Sequence, residues 1–206
     1  MSEDWAYLSE LPKEIEGFSL AVGNEGELFS YVNEEKRRRA VFFQTEDGKA
    51  YMLRCYAGLN VFNDARFIAR SREAFEGILR EDMVKRVSDM ARGAYGYVLE
   101  TTGILKWDHS GFLPDKAAGF ELFIKPDAPL AIINGSYVIV DYSDFDKGAQ
   151  FIIIYNELKD EFYAEKIIKG TVETTPLFDA KKLKELGMKL EGLDVYLQEF
   201  RKQIEK

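Results

Sequence analysis

Three aspartates close together are the first residues whose type and spacing could do chemistry. Asp141, Asp144 and Asp146 lie in the segment DYSDFDK. Carboxylate oxygens are the ligands that hard cations such as Mg²⁺ and Ca²⁺ prefer. However, no glutamate closes the pattern as a calcium loop requires, and aspartate also suits a plain turn. We therefore predict no metal here, and divalent-metal-dependent activity is the weakest functional alternative.

The same turn follows a predicted strand that carries an acidic residue on an apolar face. Asp141 shares that face with Tyr137 and Ile139. If the face is buried, Asp141 needs a hydrogen-bonding partner or a raised pKa. We predict that Asp141, Tyr142 and Asp144 belong to a binding site at the end of this strand.

A second candidate site is the segment 106–119, KWDHSGFLPDKAAG, which shows no helical or strand periodicity. Loops of this length in a compact domain tend to be functional or disordered. It contains Trp107 and the only histidine, His109, and a large aromatic beside polar groups is typical of a binding hot spot. We predict both as binding residues. The alternative is that Trp107 packs into the core and His109 is an exposed residue without a role.

The single cysteine, Cys55, could form a thiolate–imidazole pair with His109 only if the two side chains meet in space. Cys55 lies within a predicted strand, which favours a small buried core residue over a reactive thiol. The chain contains no P-loop, no G-x-S-x-G elbow and no H-E-x-x-H motif. We predict no cofactor, and these absences favour a protein that is not an enzyme.

The composition predicts a soluble cytoplasmic protein. One cysteine in 206 residues excludes an intramolecular disulfide, and no apolar run reaches the roughly 18 residues of a membrane span. The N-terminus lacks the layout of a signal peptide. A net charge of −8 argues against nucleic-acid binding and is compatible with a basic protein partner.

The positions of these residues depend on an α+β fold that is mostly antiparallel sheet. Its clearest part is a four-strand meander over 130–168, which begins at a predicted two-residue hairpin turn, Asn134-Gly135. The run Phe151 to Tyr155 is apolar on both faces and predicts a central strand. An N-terminal hairpin is predicted over 37–57, with its turn at Asp47-Gly48.

Two long helices are predicted to cover the sheet, at 64–92 and 179–204. Asp64 is the predicted cap of the first helix. The second carries three heptads of apolar residues, with a break possible near Gly192. Packing across the sheet is favoured, and a homodimer through this helix is the alternative. Residues 95–105 are predicted as a strand.

No Pro/Gly/Ser linker divides the chain, so we predict a single domain, 1–206, with 106–119 as the one candidate boundary between two lobes. Both halves place strands before a long helix, but we detect no internal repeat.

The missing catalytic motifs and the acidic charge favour a non-enzymatic protein-binding module, such as an inhibitor or immunity-type protein directed at a basic effector. The alternative is a small-ligand-binding protein or enzyme with an apolar pocket between sheet and helix.

Overall fold

A computed structural model describes residues 5–23, 26–94, 97–132 and 135–205. The chain divides into two compact units, Met1–Arg92 and Gly93–Lys206. Each unit contains one antiparallel sheet and its own helices, so the predicted α+β class is confirmed. The candidate boundary at 106–119 lies inside the second unit, and the single domain stays a prediction.

The first unit is a meander of six strands followed by one long helix. The strands neighbour one another in chain order, after a 3₁₀ turn at Ala6–Glu10. The elements are β1 (Glu14–Ile15), β2 (Phe18–Val22), β3 (Glu27–Asn33), β4 (Arg38–Gln44), β5 (Tyr51–Ala57), β6 (Asn60–Ala69) and α1 (Arg72–Arg92). The predicted hairpin over 37–57 is confirmed as β4 and β5.

The predicted start of the first helix at residue 64 is wrong. Asp64 lies in β6 and pairs with Leu53 of β5, so strand pairing overrides the local signal for a helix cap. The helix begins at Arg72, and the Oγ of Ser71 accepts the backbone N–H of Ala74 at 3.2 Å. Ser71 is therefore the residue that caps this helix.

Side chains from β4 and from the turn before it satisfy the other end of α1. The Nζ of Lys36 donates to the carbonyl of Ala91 at 2.7 Å, and Arg38 donates to the carbonyl of Met90. The last carbonyls of a helix have no partner within it, and cations are favourable at that end. Burial lowers the pKa of Arg38.

The described residues of the second unit form seven strands, three α-helices and two 3₁₀ turns. The sheet runs β13-β12-β11-β10-β8-β7, and β9 pairs with β10. Its 3₁₀ turns are Ile104–Lys106 and Pro176–Phe178. The other elements are α2 (Tyr97–Thr101), β7 (Lys116–Ala117), β8 (Phe120–Ile124), β9 (Leu130–Ala131), β10 (Ser136–Asp144), β11 (Ala149–Asn156), β12 (Glu161–Ile168), β13 (Thr171–Thr174), α3 (Leu183–Leu190) and α4 (Leu193–Ile204).

The predicted meander over 130–168 is confirmed as β9 to β12, and β13 extends it. Asn134 of the predicted turn lies outside the described residues. The N–H of Ile132 donates to the carbonyl of Ser136, so three residues separate the last bonded pair, where the prediction had two. The central strand is confirmed, because Phe151 to Tyr155 are all buried.

The helices of the second unit differ from the prediction. The strand expected over 95–105 is wrong, because Tyr97–Thr101 is α2 and a 3₁₀ turn follows. Ala180 bridges to Phe162 in the sheet, so the C-terminal helix begins at Leu183 and not at 179. The break near Gly192 is confirmed.

Five of the seven heptad residues of α3 and α4 are buried in the core of their own unit, and the first and last, Leu183 and Ile204, are partly buried against it. A dimer through this helical region stays a prediction, and it would use the opposite side, where Met188 and Val195 are exposed. Among the described residues, no helix has both the length and the apolar character needed to cross a membrane.

The two units repeat one another in strand register. From β3 onward, the strand pairs of the first unit recur 111 positions later, and the β-bulge of β3 recurs in β10. The exception is Leu53↔Asp64, where the second unit has a hydrogen bond from the N–H of Thr175 to the carbonyl of Ala164 at 2.9 Å. The matching pairs include Tyr31↔Ala40 with Tyr142↔Phe151, Phe42↔Leu53 with Ile153↔Ala164, Ala57↔Asn60 with Ile168↔Thr171, and Tyr51↔Ala69 with Phe162↔Ala180. Residues 72–92 of α1 correspond to residues 183–203 of α3 and α4.

The repeat is also visible ahead of these strands. The pattern W-x₅-L-P-x₄-G-F-x-L begins at Trp5 and again at Trp107, 102 positions later. The longer connection that contains β9 accounts for the change in spacing. The interpretation that the chain has no internal repeat is therefore wrong. Registers and turns recur, whereas most side chains between them differ.

Candidate functional site

Tyr142 is a buried residue that fastens the 106–119 segment to the sheet. Its hydroxyl donates to the carbonyl of Pro114 at 2.7 Å. In the first unit the hydroxyl of Tyr31 donates to the carbonyl of Pro12 at the same distance. Burial raises the pKa of both phenols, that of Tyr31 to about 12. Because both units make this bond, Tyr142 is part of the scaffold.

Trp107 also has a structural counterpart. Its ring stacks on Phe112 at 6.2 Å and packs beside Gly187 of α3. Trp5 donates its indole N–H to Glu76, which is the counterpart of Gly187 in α1. Trp107 is half-buried and packs against the core of its unit, and its role in binding stays a prediction.

His109 interacts with its own loop. The Nδ1 atom of this half-buried residue lies 3.0 Å from the carbonyl oxygen of Trp107, which fits an Nδ1–H that donates to it. Its ring centroid lies 6.3 Å from that of Trp107. The two predicted loop residues are therefore together, and Tyr142 ties their loop to β10 through Pro114.

Asp144 organises the turn after β10. Its Oδ1 accepts the N–H groups of Asp146 and Lys147 at 3.1 and 3.0 Å, and its other oxygen pairs with Arg201. Burial opposes ionisation of Asp144, but its pKa is still lowered, since Arg201 and these N–H groups stabilise the carboxylate. Asn33 makes the equivalent turn bond in the first unit.

Asp141 is 0 % exposed and accepts the hydroxyl of Ser143 at 2.7 Å. Asp141 is therefore buried and has a hydrogen-bonding partner, as the sequence argument required of a buried aspartate, whereas Tyr137 of the same predicted face is half-buried. Asp144 is committed to Arg201, and Asp146 is exposed. In the described parts of the chain, no three acidic, histidine or cysteine side chains converge to hold a metal. The three aspartates thus do not form the cation site considered above.

Cys55 is a fully buried free thiol in β5. Burial raises its pKa to about 11, although the Arg86 guanidinium lies 3.6 Å from its sulfur. A thiol of this kind is neutral at physiological pH and is a poor nucleophile. His109, the other member of the thiolate–imidazole pair considered above, belongs to the other unit.

A cleft of about 490 Å³ lies in the second unit, between β11 and β12 on one side and α2 and the start of α3 on the other. None of its lining residues was predicted as a site residue. The lining residues are Val98, Thr101, Thr102, Tyr155, Asp160, Phe162, Lys181, Lys182 and Leu183.

Two aromatic residues form the floor of this cleft. Tyr155 and Phe162 are buried, with ring centroids 5.1 Å apart. The Tyr155 hydroxyl donates to Oδ1 of Asp160 at 3.0 Å. Burial, followed by the Asp160 carboxylate, raises the pKa of Tyr155 to about 12, so the phenol stays protonated. Asp160 has a φ of 49° in the turn between β11 and β12, a conformation that Asp and Asn tolerate better than most residues.

The walls of the cleft carry four polar side chains, and three of them donate hydrogen bonds to other groups of the chain. The hydroxyls of Thr101 and Thr102 donate to the carbonyls of Val98 and Leu99, at 3.0 and 3.1 Å. Lys181 pairs with Glu161 at 2.6 Å. Lys182 is exposed, and its ammonium has no hydrogen-bonding or ionic partner within the part of the chain that the structure describes.

Two large apolar side chains project from the elements that line the cleft. Tyr97, which precedes Thr101 by one helical turn, and Leu158, two residues before Asp160, are each 80 % exposed. We call these two residues the rim.

The sequence did not predict α2, which forms one wall of this cleft, because residues 95–105 were expected to be a strand. One signal was present, because Gly103 (φ 77°) follows the helical segment as a C-terminal glycine does. The remaining lining residues come together only through strand pairing. No family model, curated protein or solved structure matches this chain.

Proposed function

We propose that this chain is a non-enzymatic protein-binding module of the acidic inhibitor or immunity type. It binds a basic partner protein in the cytoplasm, at the cleft and rim of the second unit. The observation that carries the proposal is the cleft of about 490 Å³, together with Tyr97 and Leu158, which are each 80 % exposed on segments that also contribute lining residues.

Exposed apolar side chains around a concave site support protein docking. A large aromatic and a leucine at such a position lose water-exposed surface when a partner covers them. Aromatic residues in particular dominate binding energy at interfaces. The net charge of −8 favours a partner of opposite charge and speeds its association.

The same cleft favours small-ligand binding as a second candidate function. Its volume lies in the range of about 300–1,000 Å³ that is typical of ligand sites, and its lining combines aromatic rings with polar groups. Binding of this kind would depend on the floor residues Tyr155 and Phe162 and would be insensitive to the rim.

The experiment compares protein capture by three forms of the tagged full chain in the native host. They are the wild type, the rim variant Tyr97→Ser with Leu158→Ser, and the control Val195→Ser, which changes another exposed apolar residue of the same unit. We expect the wild type and the control to retain the same basic protein. The rim variant should lose it by about 30-fold, as expected for a hot spot worth about 2 kcal/mol. Equal retention by all three forms would contradict the proposed site.

A further inference from the structure

Two lysines are the side chains of the cleft lining that can still donate hydrogen bonds to a ligand. The three hydroxyl groups of the lining already donate within the chain, two of them to carbonyls of α2 and that of Tyr155 to Asp160. Each lysine ammonium carries three N–H donors. Lys181 uses one of them on Glu161, and Lys182 has no hydrogen-bonding or ionic partner within the described residues. A ligand therefore meets unused donors at Lys182.

The charges of the lining favour an anion of single charge. Its charged residues are Lys181, Lys182 and Asp160, which leaves one positive charge in excess. The carboxylate of Asp160 accepts the hydroxyl of Tyr155 at 3.0 Å, so it is already engaged at the floor of the cleft. A phosphate ester carries a charge of about −1.5 to −2 at neutral pH, whereas a carboxylate carries a single charge. The excess charge of the lining thus matches a carboxylate.

The first unit carries no such charge at the equivalent positions. Ser71 and Glu73 are the counterparts of Lys182 and Lys184. Ser71 caps α1, and Glu73 lies in its first turn, where an acidic residue is favourable and a lysine is not. Departures from local preference are expected at functional sites, and Lys182 lines the cleft.

The rest of the lining suits an apolar body. Val98 of α2 and Leu183 of α3 are half-buried, and both line the cleft. The rings of Tyr155 and Phe162 are buried and pack on each other, so they close the floor. The two aliphatic side chains are therefore the apolar surface that a ligand contacts. A cleft of about 490 Å³ has room for a short hydrocarbon chain.

We propose that this cleft binds a small carboxylic acid with an apolar body. The carboxylate pairs with the ammonium of Lys182, and the hydrocarbon part lies against Val98 and Leu183. This inference rests on small-ligand binding, the second candidate function, and it names the chemical class of the ligand.

The test titrates the ¹⁵N-labelled full chain with sodium hexanoate and follows backbone amide shifts by NMR. Hexanamide is the matched neutral compound, and hexylamine is the matched cation. We expect saturable shifts at Thr101, Thr102 and Leu183 with hexanoate. Hexanamide should bind about fivefold more weakly because it cannot form the ion pair with Lys182, and hexylamine should bind more weakly still.

Three variants locate the charge that the carboxylate recognises. Lys182→Gln should weaken hexanoate binding about fivefold and remove the preference over hexanamide. Asp160→Asn removes a nearby negative charge and should strengthen hexanoate binding about twofold, and asparagine tolerates the φ of 49° at this position. Lys184→Gln is the matched control, since it removes the same charge from an exposed residue outside the lining. Its affinity for hexanoate should stay within about twofold of the wild type, because solvent screens a charge outside the cleft.

The outcomes separate the ligand class from the function on which it rests. Equal binding of hexanoate and hexanamide would overturn the carboxylate inference and leave small-ligand binding standing, whereas binding of none of the three compounds would overturn both. A loss of affinity from Lys184→Gln as large as that from Lys182→Gln would also overturn the inference, because the general charge of the unit would then attract the anion. An unchanged amide spectrum outside the cleft verifies the fold of each variant.

Discussion

The two units have one strand register and differ at the ends of their helices. In the first unit a single 21-residue helix follows the meander, and Ser71 caps its start. In the second unit the equivalent position is Lys182, which provides no side-chain cap, and the helix breaks at Glu191-Gly192. The second unit also has α2, and the cleft lies where α2 meets the start of α3.

The interiors differ just as clearly. Arg86 of α1 is buried and its Nε lies 2.7 Å from the carboxylate of Asp64, whereas the counterparts in the second unit are Leu197 and Thr175. Equivalent positions thus hold a buried ion pair in the first unit and a buried leucine and threonine in the second. Contacts present in both units, such as the tyrosine–proline bond, therefore belong to the scaffold. Groups confined to one unit are the better candidates for function.

The largest effects should come from Phe67 and Phe178, which occupy equivalent positions in the two units and are both fully buried. Replacing either with alanine should cost about 3–5 kcal/mol, from lost burial and the cavity left behind. Each unit has one tryptophan, so chemical denaturation of Trp5→Phe and Trp107→Phe backgrounds follows the units separately. We expect Phe67→Ala to shift only the Trp5 transition and Phe178→Ala only that of Trp107. Equal shifts at both probes would show one cooperative domain.

Next in size is the buried ion pair. Arg86→Leu should destabilise the first unit by about 3 kcal/mol, because Asp64 loses a buried cation. The double variant Arg86→Leu with Asp64→Thr copies the second unit, and we expect it to recover most of that loss. Urea denaturation measures the free energy of unfolding of both variants. A double variant as unstable as the single variant would show that the interior of the first unit cannot adopt the residues found in the second.

The same pair has a pH signature. Burial opposes ionisation of Asp64, but hydrogen bonds from Arg66 and the charge of Arg86 leave its pKa below the usual value. A lowered folded pKa means that the contribution is present above the unfolded pKa, about 3.9, and is lost as pH falls below it. Between about pH 5 and about pH 2, the double variant Arg86→Leu with Asp64→Thr should therefore lose less stability than the wild type. Urea denaturation at a series of pH values measures the difference.

A smaller effect is expected at the two tyrosine–proline bonds. Tyr31→Phe and Tyr142→Phe each remove one hydrogen bond to a proline carbonyl, which is worth about 1 kcal/mol. Because the two bonds are equivalent, we expect the losses to agree within about 0.5 kcal/mol. Thermal or urea denaturation compares them. A loss of stability for only one of the two variants would show that the same hydrogen-bond geometry contributes differently to the stability of the two units.

The smallest effects concern the helix starts. Ser71→Ala should cost about 1 kcal/mol by removing the cap of α1. Lys182→Ser places a capping residue at the equivalent position and should stabilise the second unit by about 0.5 kcal/mol. Differential scanning calorimetry can resolve both changes. A destabilising Lys182→Ser would indicate that the start of α3 differs in geometry from that of α1.

Several features were predictable because neighbouring residues encode them. Asp47-Gly48 marked the hairpin turn, where Gly48 has a φ of 69°. The all-apolar run from Phe151 predicted a central strand, and Gly192 predicted the helix break. Each depends on local backbone preference or on the period of burial, which a short segment carries by itself.

The site residues were less predictable for a physical reason. Trp107 and Tyr142 have the residue types of a binding site, but Tyr142 makes a hydrogen bond that the first unit also makes, and Trp107 stacks on Phe112 of its own loop. Residue type alone does not reveal such commitments. The cleft escaped prediction because its lining comes from four elements spread over residues 98–183, brought together by strand pairing.

The sequence by itself determined the α+β class, the meander and its central strand, and the acidic charge that favours a basic partner. Only the tertiary structure decided where α1 begins and that the two units share one strand register. It also decided that Tyr155 and Asp160 line one cleft together with Thr101 and Thr102. Turns and the periodicity of buried residues depend on residues a few positions apart. Strand pairing and the hydrogen-bonding partners of most side chains depend on residues that only folding brings together.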